Sequence, residues 1–268
     1  MRLHTERRGE GPLLVCHPGG PGFDAGELHD LAGLGRTHTL LLVDPRGSGR
    51  TGPADSYLLD DYVADLEELR ADLGLETIDL LGFSHGGLVA VAYAAARPRR
   101  VRKLVLACTL AALTDEMQEE AKRVIDAKAD QPWHPAAAAA LEREEAGDYE
   151  TPEDVGAMWN EMAPLYFSTW DERFRPLVEV DRLPPEPLRS FNSTPFDLRP
   201  ELDRIDAETL VITGRDDFVC GPAAAAPLAE GIRGAELVLL EGAGHFAFLE
   251  QPEAFRVAVE AFLSSGSG

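Results

Sequence analysis

The chain has 268 residues, enough for one large domain carrying an insertion and short for two independent domains. Hydrophobic residues make up 44%, as in ordinary globular proteins, and no apolar run approaches the roughly 18 residues needed to cross a bilayer. With 47 acidic against 25 basic residues the formal net charge is −22, a field that repels nucleic acid and anionic membrane surfaces, so neither is expected as a partner.

The amino-terminal Met1-Arg2-Leu3-His4-Thr5-Glu6-Arg7-Arg8 lacks the apolar core of a secretory signal, and a soluble, cytoplasmic protein is expected. The first strand-like run, Leu13 to Cys16, leads into His17-Pro18-Gly19-Gly20-Pro21-Gly22. A second, Thr39 to Val43, ends at Asp44-Pro45-Arg46-Gly47. A helical stretch from Leu58 to Leu73 precedes the strand Thr77 to Leu81, an Ala-rich helix ending at Arg97-Pro98, and the strand Lys103 to Ala107. Short apolar runs alternating with helices indicate an α/β fold with a mostly parallel sheet flanked by helices.

The rhythm breaks near Leu110. From there to about Arg199 the sequence is polar, Ala-rich and helical. It includes an exposed helix from Glu116 and another opened by Thr151-Pro152-Glu153-Asp154, with an N-cap, a first-turn proline and an acid at N3. Trp159, Tyr166, Phe167, Trp170 and Phe174 fall in or beside this second helix, as expected of a lid over a pocket. Strand rhythm returns at Thr209 to Thr213, ending in Gly214-Arg215-Asp216-Asp217. A last strand, Ala235 to Leu240, precedes Gly244-His245, and an amphipathic helix runs from Pro252 to Leu263. The expected organisation is a core of 1–110 and 203–263, a helical cap over 111–202, and a flexible tail over 264–268.

Gly82-Phe83-Ser84-His85-Gly86 is a G-x-S-x-G pattern set between a strand and a helix. There the serine sits on a sharp turn with its hydroxyl exposed, and the flanking glycines leave room for the turn. A serine hydroxyl needs a base to take its proton and an acid to hold that base, in the chain order serine, acid, histidine. Of the histidines after Ser84, only His245 follows the last strand. Asp216 and Asp217 both end the preceding strand, and spacing does not choose between them. Two backbone N–H groups are needed for an oxyanion: that of His85, and one from the Gly19-Gly20 loop. That loop lacks the Lys-Ser/Thr ending of a phosphate cradle. Phe23 and Phe83, beside the loop and the motif, and Trp159 and Glu161, in the cap, are candidate substrate contacts. Cys16, Cys108 and Cys220 form no paired spacing, so neither a disulfide framework nor a metal site is expected, and Cys220 is a candidate pocket residue.

Taken in order, His17 to Gly22, Asp44-Pro45-Arg46-Gly47-Ser48-Gly49, Gly82 to Gly86, Gly214 to Pro222 and Gly244-His245-Phe246 resemble the α/β-hydrolase superfamily, and within it the proline iminopeptidase-like branch. The resemblance spans about residues 10–262 and is weakest in the cap. It implies Asp217 as the acid, Gly20 as the upstream oxyanion donor and a structural role for Arg46. In that branch lid glutamates hold the substrate's α-amino group, and Glu161 is the nearest match here. Where the branch has H-G-G-P-G, Pro18 stands in the histidine's place. The short amino terminus implies that an edge strand or two of the family sheet are missing.

The expected function is a cofactor-free serine hydrolase working through an acyl-enzyme, first as an aminopeptidase releasing proline or a small residue from short peptides. The alternative is an esterase or lactonase on small apolar acyl substrates. A third possibility, of another class, is a catalytically silent small-molecule receptor.

Overall fold

Residues 1–265 are described in a computed structural model. Their strands form one seven-stranded sheet: β1 (His4–Arg8), β2 (Leu13–His17), β3 (Thr39–Asp44), β4 (Ile78–Phe83), β5 (Val101–Ala107), β6 (Glu208–Gly214) and β7 (Glu236–Leu240). The spatial order is β1-β3-β2-β4-β5-β6-β7, and every pairing is parallel except β1 with β3. All six residues of β4 are buried, which is why the central runs read as continuously apolar and do not alternate.

The amino-terminal strand was the element not expected. β1 pairs His4 to Arg8 with Asp44 to Leu40, and Glu6, Arg7 and Arg8 are exposed. A charged edge strand carries no apolar pattern, and its charges discourage pairing with other chains.

Two helices, α1 (Leu59–Asp72) and α2 (His85–Ala96), follow β3 and β4. From His85 to Ala95 α2 is wholly buried, so its small side chains are what let it lie close to the sheet. Between β5 and β6 come α3 (Asp115–Asp126), α4 (His134–Ala146), α5 (Pro152–Met162), α6 (Arg175–Val178) and α7 (Pro185–Ser193). Among the described residues this segment's only sheet-like pairing is a bridge between Ala112 and Asp197. α5 starts as its sequence predicts: Asp154 N–H donates to Thr151 Oγ1 at 3.1 Å, and Thr151 N–H donates to Asp154 Oδ2 at 2.8 Å. Cap side chains Met158, Trp159, Phe167 and Val178 share one apolar cluster with Phe83, Phe246 and Phe248 of the core. The cap therefore closes over the carboxyl ends of the strands, with Phe167 stacked between Phe174 and Phe246 at 4.7 and 5.4 Å.

The chain continues through α8 (Pro222–Gly231), α9 (Ala247–Glu250) and α10 (Pro252–Ser264). Ser264 ends a helix, and the Ser265 carbonyl accepts from Lys103 Nζ at 2.6 Å, so both are ordered parts of the core; the remainder of the expected tail, 266–268, lies outside the described residues. Among the described residues no helix is long and apolar enough to cross a membrane.

Candidate active site

Because β2, β4, β6 and β7 run parallel, their carboxyl ends lie along one edge of the sheet, and the four loops of interest leave from that edge. Ser84 sits between β4 and α2 with φ 53° and ψ −121°, a conformation that costs a non-glycine residue about 1–3 kcal/mol. The surroundings hold it there. Its N–H donates to Ala107 O at 2.9 Å, and its carbonyl accepts from Thr109 Oγ1 at 2.7 Å and from Gly87 N at 2.8 Å. The motif's glycines are required by close approach: a Cβ on Gly82 would lie 2.4 Å from Gly86 O, and one on Gly86 would lie 2.3 Å from Pro18 O.

Of the two aspartates, Asp217 is the one that meets His245. His245 Nδ1 is 2.8 Å from Asp217 Oδ2, with both side chains almost wholly buried. The other oxygen, Oδ1, accepts the N–H groups of Val219 at 2.8 Å and Cys220 at 2.9 Å, which fixes the plane of the carboxyl group. Cys220 thus serves through its backbone; its thiol is buried and pushed far up by desolvation, and it does not line the pocket. Asp216 faces the cap, where it accepts from Ser168 Oγ at 2.6 Å.

A chamber of about 120 Å³ lies over Ser84 and is walled by Gly20, Glu27, Glu144, Trp159, Tyr166 and His245. Within the loop after β2, Gly19 N–H is committed to Glu27 Oε2 at 2.6 Å. Among the described residues the N–H groups of Gly20 and His85 have no protein acceptor, and both residues border the chamber. Gly20 has φ +107°, a backbone conformation that a side chain would strain. His17 steadies this loop through a 2.9 Å contact between Nδ1 and Pro18 O, and burial draws its imidazole down to about 4. The His85 ring turns away against Tyr62 and Phe191, where burial draws it down to about 3. So depressed and so placed, it is unsuited to act as a base for Ser84.

The expected substrate contacts divide. Phe23 and Trp159 line the chamber, their rings 4.9 Å apart, and the Trp159 indole is anchored by donating to Val178 O at 2.7 Å. Phe83 does not line it: wholly buried, it lies behind His245 with ring centroids 5.0 Å apart, and supports the histidine from the core. Glu161 does not line it either. The outward face of α5 puts it in solvent beside Arg143, 3.5 Å away, because Trp159 and Met162 take the inward positions.

Two other glutamates face Ser84, and neither was singled out from the sequence. Burial pushes Glu27 up to about 8, with Asp24 adding to the effect and the Gly19 N–H opposing it. Burial also pushes Glu144, on α4, up to about 7, reinforced by Glu145. No motif marks them; their meaning comes from which loop and which helix meet over the chamber. On the Glu27 side the chamber adjoins a cavity of about 570 Å³ bordered by Asp24, Glu179, Arg182 and Glu186. On the Glu144 side it adjoins one of about 630 Å³ bordered by Met117, Ile125, Phe196 and Phe218. Five charged side chains border the first arm and two, Glu144 and Glu145, the second.

A model described as an alpha/beta hydrolase family matches residues 13–258. The chain belongs to the alpha/beta hydrolase family. A curated relative of this hydrolase, the proline iminopeptidase of Levilactobacillus brevis, is 28% identical over 95% of this chain and 88% of its own length. Among solved structures, an esterase from Exiguobacterium antarcticum superposes with a TM-score of 0.76 at 23% identity, covering 98% of this chain and 96% of that one. The enol-lactonase of Burkholderia xenovorans gives a TM-score of 0.70 at 27% identity, with the same coverage. The esterase likeness, below 25% identity, concerns the fold alone.

Proposed function

We propose that this alpha/beta hydrolase is a serine hydrolase working through an acyl-enzyme, and that it releases amino-terminal proline or another small residue from short peptides. His245, oriented by Asp217, takes the proton of Ser84 Oγ as that oxygen attacks the substrate carbonyl. The N–H groups of Gly20 and His85 receive the oxyanion. The imidazolium then protonates the leaving nitrogen, and water activated by the same histidine cleaves the acyl-enzyme.

The observation that carries the aminopeptidase reading is the pair Glu27 and Glu144 facing Ser84 in a chamber of about 120 Å³. That volume is far below the roughly 300–1,000 Å³ of drug-sized sites and suits one small residue. Carboxylates enclosed with it would meet a substrate ammonium and gain from the low dielectric. The similarity to proline iminopeptidases supports the same reading. A cytoplasmic setting belongs to it, and the three buried free thiols accord with a reducing compartment.

An esterase or lactonase is the second reading, favoured by the apolar cavity that meets the chamber at Tyr166, Phe191 and Val219. Two measurements decide. A fluorophosphonate probe should label the folded protein and fail on S84A; an unlabelled wild type would overturn the hydrolase mechanism and leave a receptor. Turnover of a proline arylamide is then compared with that of p-nitrophenyl butyrate. Cleavage of the ester without the arylamide would overturn the peptidase reading.

A further inference from the structure

Lys128 lies in the turn after α3, its side chain buried within the cap, yet no carboxylate comes within ion-pair distance among the described residues. Its Nζ instead donates to two backbone carbonyls, Leu165 O at 2.8 Å and Phe167 O at 2.6 Å. Between those residues the Tyr166 carbonyl points the other way and accepts the N–H of His245 at 2.7 Å. The approach is close enough that a Cβ on Gly244 would lie 2.4 Å from Tyr166 O. The Tyr166 ring also stands edge-on to the His245 imidazole, with centroids 5.5 Å apart. A three-residue stretch of the cap, at the end of the 3-10 turn Ala163–Tyr166, is therefore gripped by an ammonium on one side and grips the histidine loop on the other.

Further along the same segment, Glu250 Oε2 accepts from both Gly244 N, at 2.6 Å, and Ser168 N, at 3.1 Å, so the segment and the loop are joined twice. The charged groups facing Lys128 are Glu250, Asp217 and Asp216, which hold its ammonium up against burial that draws it down to about 8. A neutral amine still carries two N–H groups, one for each carbonyl. The grip thus depends on donors more than on charge.

We propose that Lys128 is a positioning residue for His245: by fixing the 165–167 backbone from the cap, it sets the main chain of the histidine and so the angle at which Nδ1 meets Asp217. This rests on the reading of Ser84, Asp217 and His245 as the reacting set. It makes closure of the cap and alignment of the base one event, because the residue that ties down the cap segment is also the one that holds the loop.

The test compares wild type with K128M, which keeps the side-chain length and loses the donors, and with K128Q, which keeps two donors and loses the charge. K122M, at the exposed pair with Asp126, is the control. Labelling rate by a fluorophosphonate and the pH dependence of kcat/KM for p-nitrophenyl butyrate are measured on protein shown to be folded by circular dichroism. In K128M labelling should slow about tenfold or more, within the penalty known for small misplacements of reacting groups, and the acidic limb of the pH profile should move. K128Q should recover most of the rate and K122M should match wild type. Should K128M fail to fold, K128S, which leaves room for water at the two carbonyls, makes the same comparison. Wild-type labelling and an unmoved limb in the folded variant, alongside a lower melting temperature, would reduce Lys128 to a stabilising residue and overturn the proposal. An unlabelled wild type would instead overturn the site reading beneath it.

Discussion

Glu27 accepts the Gly19 N–H at 2.6 Å while facing the chamber that holds Ser84. One carboxyl group thereby shapes the loop that offers Gly20 N–H and, once ionised, adds charge where a substrate would sit. Separating the two roles is straightforward. E27Q keeps an acceptor for Gly19 and loses the charge; E27A loses both. With a neutral ester, E27Q should retain most activity, whereas E27A should lose a share of the roughly 10²–10³ in kcat that one oxyanion donor supplies. Equal losses would mean that the acceptor has no part in forming the loop.

The pH dependence of an amine-bearing substrate follows from the two chamber glutamates. Both carboxyls are raised, to about 8 and about 7, so they are protonated on the acid side and become charged as pH rises. The ratio of kcat/KM for a proline arylamide to that for a neutral ester should climb between about pH 6 and 8, because the base His245 is common to both and cancels. In E27Q/E144Q the ratio should be flat. The same sign applies to stability: a carboxyl raised on folding favours the native state at low pH and loses that contribution as pH rises from its unfolded to its folded value. E27Q should therefore flatten any decline in melting temperature across that window, measured by thermal denaturation.

The two adjacent aspartates should behave very differently. D217N leaves the His245 imidazole without its acceptor and should lower kcat by about 10⁴, as tautomer errors do in such sites. D216A removes the acceptor of Ser168 Oγ, on the cap side, and the most weakly acting of the three charges facing Lys128. Its effect should match that of S168A and stay within about tenfold, which steady-state kinetics on one ester would establish.

Gly86 admits no side chain. G86A would drive a methyl into Pro18 O at 2.3 Å and His17 Nδ1 at 2.5 Å, backbone and ring atoms with nowhere to go. Loss of soluble protein, or loss of labelling at Ser84 in what remains, is the expected outcome. A fully active G86A would mean that the turn and the oxyanion loop are not in contact.

Arg46 answers a different question. Its guanidinium holds Asp65 by two bonds of 2.7 and 2.8 Å, both side chains being nearly buried, and lies away from the chamber. R46M should cost about 3–5 kcal/mol by leaving the buried carboxylate without its main partner, with activity per folded molecule unchanged. Urea melts paired with active-site titration read both quantities.

What the sequence disclosed and what it withheld have physical reasons. β4 and the Ser84 turn were legible because burial on both faces and close backbone approach leave only apolar residues and glycine as solutions. The helix at Thr151 was legible because its cap is made of neighbours in sequence. β1 was not, since a charged edge strand has no pattern to show. The choice between Asp216 and Asp217 came from resemblance, and geometry now supplies the reason: one faces His245 and the other faces the cap. Glu27, Glu144 and Lys128 stayed hidden because each matters through the chamber or loop it meets in space, around Ser84 or His245 far away in the chain, and Glu161 misled because which face of α5 turns inward is set by packing.

The bridge between Ala112 and Asp197 has a further consequence. The chain leaves the sheet after β5 and comes back to it at β6, the neighbouring strand, and the bridge ties the departing and returning segments together at the exit; Leu198 N–H also donates to Ala111 O at 2.9 Å. The ends of everything between are thus already joined. Lengthening or shortening the segment changes loop-closure entropy only slowly, by about 0.6 kcal/mol per doubling. The neck behaves as a socket: the sheet can keep its register while what is plugged into it is exchanged.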